Sequence, residues 1–197
     1  MLLRYIFYLI YKLKGWSMEG SVPPETQKCV MIAAPHTSNW DIVFAAAAFE
    51  EMKIPLRFTI KKEWFRFPFN LLIGPLGGIP IDRSPKRPGE QRLSMVDAMA
   101  RLFEGRDSIA VMVTPEGTRK RNENWKTGFW YTAKQAGVPI CLGYLDYKKK
   151  KAGVGPVIWP TNLEDDMARM MEFYDTIHAC YPKNFALDPR YTRHLEK

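Results

Sequence analysis

The chain has 197 residues, 46 % hydrophobic and 25 % charged, and 29 Lys and Arg against 21 Asp and Glu leave a formal charge of +8. That composition is ordinary for a globular protein and excludes a disordered tail protein, and a globular chain of this length buries roughly 70 % of its unfolded surface, which removes any need for a disulfide or metal staple. Three widely spaced cysteines, Cys29, Cys141 and Cys180, form no CxxC pair, so a reducing compartment is expected and a zinc site is not.

Residues 1–16 are too short to span a bilayer, which needs ~18 or more consecutive apolar residues, and carry no signal-peptide cleavage pattern. Wound as a helix, Leu2, Ile6, Leu9 and Leu13 share a stripe with Leu3, Phe7 and Ile10, while Arg4, Tyr8, Tyr11 and Lys12 gather opposite. An apolar face edged by tyrosine and base suits a helix lying in a membrane surface. A terminal helix packed on the protein's own core is the alternative. Residues 15–25 read as a linker, so residues 1–20 are assigned to an interfacial anchor helix and linker and residues 21–197 to the main domain.

Residues 28–34 are a short continuous apolar run, the mark of a buried strand, and end at Pro35. An alanine-rich helix follows over 38–52. Further strands are predicted at 56–60, 79–81, 108–114, 139–147 and 154–159, the last two around the basic turn 148–151. Helices are predicted at 89–104 and 125–137, and a last one from Asn162 to about residue 179, with Glu164, Asp165 and Asp166 in its first turn. The residues after Tyr181 read as a polar tail. Strands alternating with helices mean an α/β domain with a mixed, largely buried sheet flanked by helices, behind a short N-terminal amphipathic helix.

Three segments carry chemistry. His36 lies just past the first strand, with Asp41 about one helical turn on, a spacing that allows a base and its orienting carboxylate. The same stretch, Ser38-x-x-Asp41, also fits a capping box in which Asp41 merely holds the helix start. Gly77-Gly78-Ile79-Pro80-Ile81-Asp82-Arg83 offers close backbone approach and an arginine for phosphate, or simply a surface turn. Pro115-Glu116-Gly117-Thr118-Arg119 ends a strong strand, where open α/β sheets gather ligands; its bland reading is a charged turn. His178 and His194 have no partner at useful spacing. Cys29 and Cys141 read as inert core thiols.

Taken in order, His36-x4-Asp41, Gly77 to Arg83, Glu116 to Arg119 and Val138-Pro139-Ile140 resemble the glycerolipid (lysophosphatidate) acyltransferase family. Lys62-Glu63 and Trp125 to Gly128 also stand where that family often has similar residues, whereas Leu142 replaces its usual second proline. The resemblance implies a compact member of that fold. Its implied activity is transfer of a fatty acyl group from acyl-CoA or acyl carrier protein to a lyso-lipid hydroxyl, such as that of 1-acylglycerol-3-phosphate. It further implies that His36 is the general base and Asp41 its partner. Arg83, Glu116, Gly117, Thr118 and Arg119 would bind the acceptor phosphate over a floor shaped by Gly77 and Gly78, and Val138, Pro139 and Ile140 would lie near the donor or its acyl chain.

A thioester is attacked without metal assistance, so neither a metal site nor any cofactor beyond the donor substrate is expected. The expected partners are membrane lipids, the lyso-lipid acceptor and the thioester donor, acyl carrier protein among the possibilities, at the cytoplasmic face of a membrane as a peripheral or monotopic protein. Nucleic acid is not expected, since the base is spread rather than striped and no nucleic-acid module is present. A non-catalytic lipid-binding protein on the same fold and an acyl thioesterase are the competing readings.

Overall fold

The computed structural model describes residues 2–61, 65, 67, 70–81 and 93–192. Helix α1 (Leu2–Leu13) closes with Gly15 at φ +78°, the Trp16 N–H donating to the Tyr11 carbonyl and the Gly15 N–H to that of Lys12. This paired closure requires the left-handed glycine and turns the chain sharply into strand β1 (Ser17–Glu19). Then come β2 (Lys28–Ala33), α2 (Trp40–Glu51), β3 (Leu56–Lys61), α3 (Asn70–Leu76) and β4 (Gly78–Ile81). The remainder runs α4 (Met95–Ala100), β5 (Ile109–Val113), α5 (Gly128–Ala136), β6 (Ile140–Asp146), β7 (Lys151–Ile158) and α6 (Leu163–Asp175).

The seven strands of the described residues make one sheet in the order β1-β7-β6-β2-β5-β3-β4. Every pairing is parallel except that of β6 with β7, the hairpin across the basic turn. The mixed, helix-flanked sheet is therefore the one expected. β2 sits between β5 and β6, so both of its edges are paired, and helices cover both faces of the sheet there, so its residues alternate between two cores. Val30 and Ile32 join Val111, Ile140 and Leu142 beneath α4, α5 and α6. Cys29 and Met31 join Ala110 and Cys141 beneath α1 and α2. Asn162 caps α6 as expected, its side chain accepting from the Asp165 N–H.

Several expectations change. β1 reads as linker in sequence because three residues at a sheet edge carry no periodicity; only pairing with Lys151 to Gly153 of β7 makes it a strand. Helix α3 contains Gly74 and Pro75 and has no sequence signature. The helix expected over 89–104 is observed as α4 and a 3-10 turn at Arg101–Phe103; residues 82–92 lie outside the described residues. The segment after Tyr181 is no polar tail as far as residue 192. Its buried Asp188 accepts from the Trp125 N–H at 2.9 Å, and the Trp125 indole donates to the Ala186 carbonyl. α5 starts at Gly128, three residues later than expected.

Helix α1 turns its polar edge inward. Tyr11 is 0 % exposed, Arg4 pairs with Glu50 at 2.7 Å and donates to the Pro75 carbonyl, and Lys12 pairs with Glu51. Tyrosine and base therefore dock the helix on α2 and α3. Ile6, Leu9 and Leu13 face outward instead, Leu13 at 85 % exposure.

Candidate active site

The loops after β2 and β5 and the turn after β6 leave the carboxyl ends of three adjacent strands and meet there, the place where α/β sheets build sites. His36 lies in the first loop and Asp41 in the first turn of α2. His36 Nδ1 stands 3.1 Å from Asp41 Oδ2, and the same oxygen accepts from the Thr37 and Ser38 N–H groups, each at 2.9 Å. Only half of the expected capping box forms, since the helix starts after Asn39 and the Ser38 hydroxyl accepts from the Trp40 N–H, while the Asp41 carboxylate gathers the loop amides and meets the imidazole. With Nδ1 protonated toward Asp41, Nε2 carries a free lone pair. The imidazole is 17 % exposed, enough for a substrate to reach it.

Asp41 Oδ1 accepts from the Tyr147 hydroxyl at 2.5 Å. Tyr147 follows β6 directly, and burial together with Asp41 pushes its phenol well above the ordinary range, so it stays a donor. Nothing in the local sequence signals this residue, because only the sheet order brings the end of β6 beside that of β2.

Glu116, 4 % exposed, accepts from the His36 N–H through Oε1 at 2.8 Å, while Oε2 is buried with no hydrogen-bond partner among the described residues. Its carboxyl faces the His36 loop. Asn122 donates to the Glu116 carbonyl at 2.7 Å and so holds the β5 loop. Gly117 adopts φ +64°, and a Cβ there would lie 2.9 Å from the Lys126 ammonium. The left-handed backbone favours glycine there, whereas the flexible end of Lys126 could shift aside.

Burial pushes the Glu116 carboxyl up to about 7, whereas an unfolded glutamate titrates at ~4.3. Between those values the folded protein binds the extra proton, so its stability falls as pH rises through that window and levels off above it. Glu116→Gln keeps an oxygen for the His36 amide and removes the charge. Urea unfolding at pH 5 and pH 8 is expected to show a smaller stability difference in the variant than in the wild type, by on the order of 2 kcal/mol.

Two unlike pockets flank the His36 loop. One is an apolar cavity of about 180 Å³ that starts at His36 and Asp41 and runs between α2 and the sheet to Phe49 and Met52, over Gly143. A Cβ on Gly143 would lie 2.9 Å from the Ile32 carbonyl oxygen, so the sheet admits no side chain there. The other pocket, about 500 Å³, is polar and lined by Thr37, Ser38, Thr118, Arg119, Lys120 and Tyr181 among others.

Of the residues singled out in sequence, Thr118 and Arg119 line the polar pocket, and Arg83 lies outside the described residues. Gly77 and Gly78 do not form its floor. The register sets Gly78 level with Phe58, Met112 and Met31, inside the sheet and three strands from β2. A Cβ on Gly77 would meet the Leu56 carbonyl oxygen at 2.6 Å, so these glycines serve the packing of α3 and β4 on β3. Val138, Pro139 and Ile140 also miss the apolar cavity. They are buried at the start of β6, Val138 and Ile140 in the core beneath α4, α5 and α6, whereas the cavity meets β6 on its other face and near its end, at Gly143 to Leu145. His178 does have a partner: its Nδ1 stands 3.1 Å from the buried Asp146 Oδ2.

A sequence model of the family described as Acyltransferase matches residues 18–141, well over half the chain and every element from β1 to the start of β6. The chain belongs to the acyltransferase family. The fold is similar to that of a 1-acyl-sn-glycerophosphate (LPA) acyltransferase, PlsC, from Thermotoga maritima, with a TM-score of 0.56 and 17 % identity over 87 % of this chain and 75 % of that one. No curated protein matches the sequence. In this acyltransferase the matched region holds His36, Asp41, Glu116 and Arg119, while Tyr147 and the Tyr181 edge of the polar pocket come from beyond it.

Proposed function

We propose that this acyltransferase moves a fatty acyl group from acyl-CoA or acyl carrier protein to the hydroxyl of a lyso-lipid such as 1-acylglycerol-3-phosphate. His36 is the general base, and no acyl-enzyme forms. The reading rests on the His36–Asp41 pair standing between an apolar cavity suited to an acyl chain and a cationic, hydroxyl-lined pocket suited to a phosphate. The activity named for the similar structure supports it. His36 Nε2 takes the acceptor's hydroxyl proton as that oxygen bonds to the thioester carbon; the carbon–sulfur bond then breaks and the imidazolium returns the proton to the departing thiolate. Asp41 holds the tautomer and faces the positive charge that develops. Cys29 and Cys141, both 0 % exposed, are out of a thioester's reach.

Arg119 and Thr118 are assigned to the acceptor phosphate, with Lys120 beside them and Arg83 as a further candidate. Glu116 takes a different role from the phosphate ligand first expected, that of clamp on the His36 loop. The protein meets the membrane surface through Ile6, Leu9 and Leu13 of α1; no helix among the described residues is long and apolar enough to cross a membrane.

Thiol release from a long-chain acyl-CoA, with and without a panel of lyso-lipids, tests the reading. Acceptor-dependent release is expected. Release without acceptor would make the protein a thioesterase, and no release from either CoA or carrier-protein donors would leave the non-catalytic lipid-binding reading. Arg119→Ala is expected to raise the KM of a phosphate-bearing acceptor about tenfold or more while the donor KM holds. An unchanged acceptor KM would take the phosphate away from Arg119.

A further inference from the structure

The Asp41 carboxylate is held on both oxygens, and only one of them is explained by the motif in which it stands. Oδ2 receives His36 and two loop amides, all within five residues of Asp41. Oδ1 receives one donor, the hydroxyl of Tyr147, from the end of the neighbouring strand β6 and far away in sequence. The Tyr147 ring is itself fixed. It packs edge-on against Trp16 at 4.9 Å and against Phe44 at 5.9 Å, and Trp16 stacks on Phe44 at 4.8 Å. Its backbone N–H donates to the His178 carbonyl at 2.9 Å. Trp16, 4 % exposed, is aimed by the glycine closure of α1.

A carboxylate bonded on one oxygen alone can swing about its Cβ–Cγ bond and lose the imidazole. A donor on the other oxygen stops that rotation and disperses the negative charge seen by His36. We infer that Tyr147 is a positioning residue of this acyltransferase: its hydroxyl locks the Asp41 carboxylate so that Oδ2 keeps His36 Nδ1 in register, and Trp16 at the root of α1 locks Tyr147. This rests on the reading of His36 as general base. The N-terminal helix then contributes to the catalytic scaffold as well as to any surface contact. The titratable groups facing this pair are His36 and Glu116 from the loops after β2 and β5, and the Cys180 thiol, which lies beside the Tyr147 hydroxyl.

Tyr147→Phe removes only the hydroxyl and keeps the ring against Trp16 and Phe44. Steady-state kinetics of wild type, Tyr147→Phe and His36→Ala across pH 5 to 9 in one detergent system test the inference. For Tyr147→Phe, kcat is expected to fall about tenfold with both KM values held within about twofold. The acid limb of kcat/KM is expected to move to higher pH, because an undispersed Asp41 charge holds the imidazolium more firmly. An active Tyr147→Phe with wild-type kcat and acid limb, beside a dead His36→Ala, would overturn the positioning role alone. A kcat loss that tracks a lower melting temperature with no movement of the limb would make Tyr147 merely structural and overturn it too. Full activity in His36→Ala would instead remove the general base, and with it the ground for the inference.

Discussion

His36→Ala is expected to lower kcat by at least about 100-fold, the low end for loss of a positioned general base, with KM for donor and acceptor little changed. The protein should still fold. Asp41 keeps three donors, the amides of Thr37 and Ser38 and the hydroxyl of Tyr147, so its buried charge is not abandoned. His36→Asn sharpens the result, since its amide can still donate toward Asp41 but provides no base; a loss as large as in the alanine variant is expected. Thiol release measured at substrate saturation checks both variants. Acceptor-dependent release at the wild-type rate in either one would remove His36 from the chemistry.

The second large effect is on membrane contact. Replacing Ile6, Leu9 and Leu13 together by glutamine is expected to move the protein from the pellet to the supernatant in vesicle sedimentation, while activity on detergent-dispersed substrate holds. Fully burying one such side chain contributes about 1.5–3 kcal/mol. With exposures of 41 %, 42 % and 85 % the three offer about 2.5–5 kcal/mol together, which is on the order of a hundred- to a few-thousand-fold change in partition. Glutamine is close to these side chains in length, so the partly buried stems of Ile6 and Leu9 keep much of their packing, and a melting temperature close to the wild type's is the control. Deleting residues 1–14 is a poorer experiment, since it removes the fully buried Tyr11 and the ion pairs of Arg4 and Lys12 with α2. Equal sedimentation of the triple variant and the wild type would refute contact through this stripe.

The amphipathic helix shows how a sequence pattern can give the period of a helix and leave open what each face meets. The apolar stripe and the opposite set of Arg4, Tyr8, Tyr11 and Lys12 were both legible, because a helix repeats every 3.6 residues whatever it packs against, but the structure divides the stripe, with Ile6, Leu9 and Leu13 outward and Phe7 and Ile10 against the core. Which set faces the protein was not. Burial of Tyr11, with Phe7, Tyr8 and Ile10 packed on the core beneath α2, decides it, and the partly exposed pairs of Arg4 with Glu50 and Lys12 with Glu51 add little; these partners lie about forty residues further along the chain, beyond the reach of any local pattern. The same limit explains β1, a strand only because β7 pairs with it, and the segment after Tyr181, which is polar in composition yet buries Asp188 against the Trp125 amide.

By itself the sequence determined the α/β class, the buried central strand and the order of the motifs, and it placed Asp41 within about a helical turn of His36 while leaving open whether Asp41 caps the helix or pairs with the imidazole. Only the tertiary structure decided what surrounds that pair. Sheet order brought Tyr147 to Asp41 and Glu116 to the His36 amide, register withdrew Gly77, Gly78 and Ile140 from the pockets first imagined for them, and strand alternation gave the apolar cavity to Gly143 to Leu145. The physical reason is that hydrogen bonds and burial act through space between residues that are distant in sequence, and one chain records only the local half of those constraints.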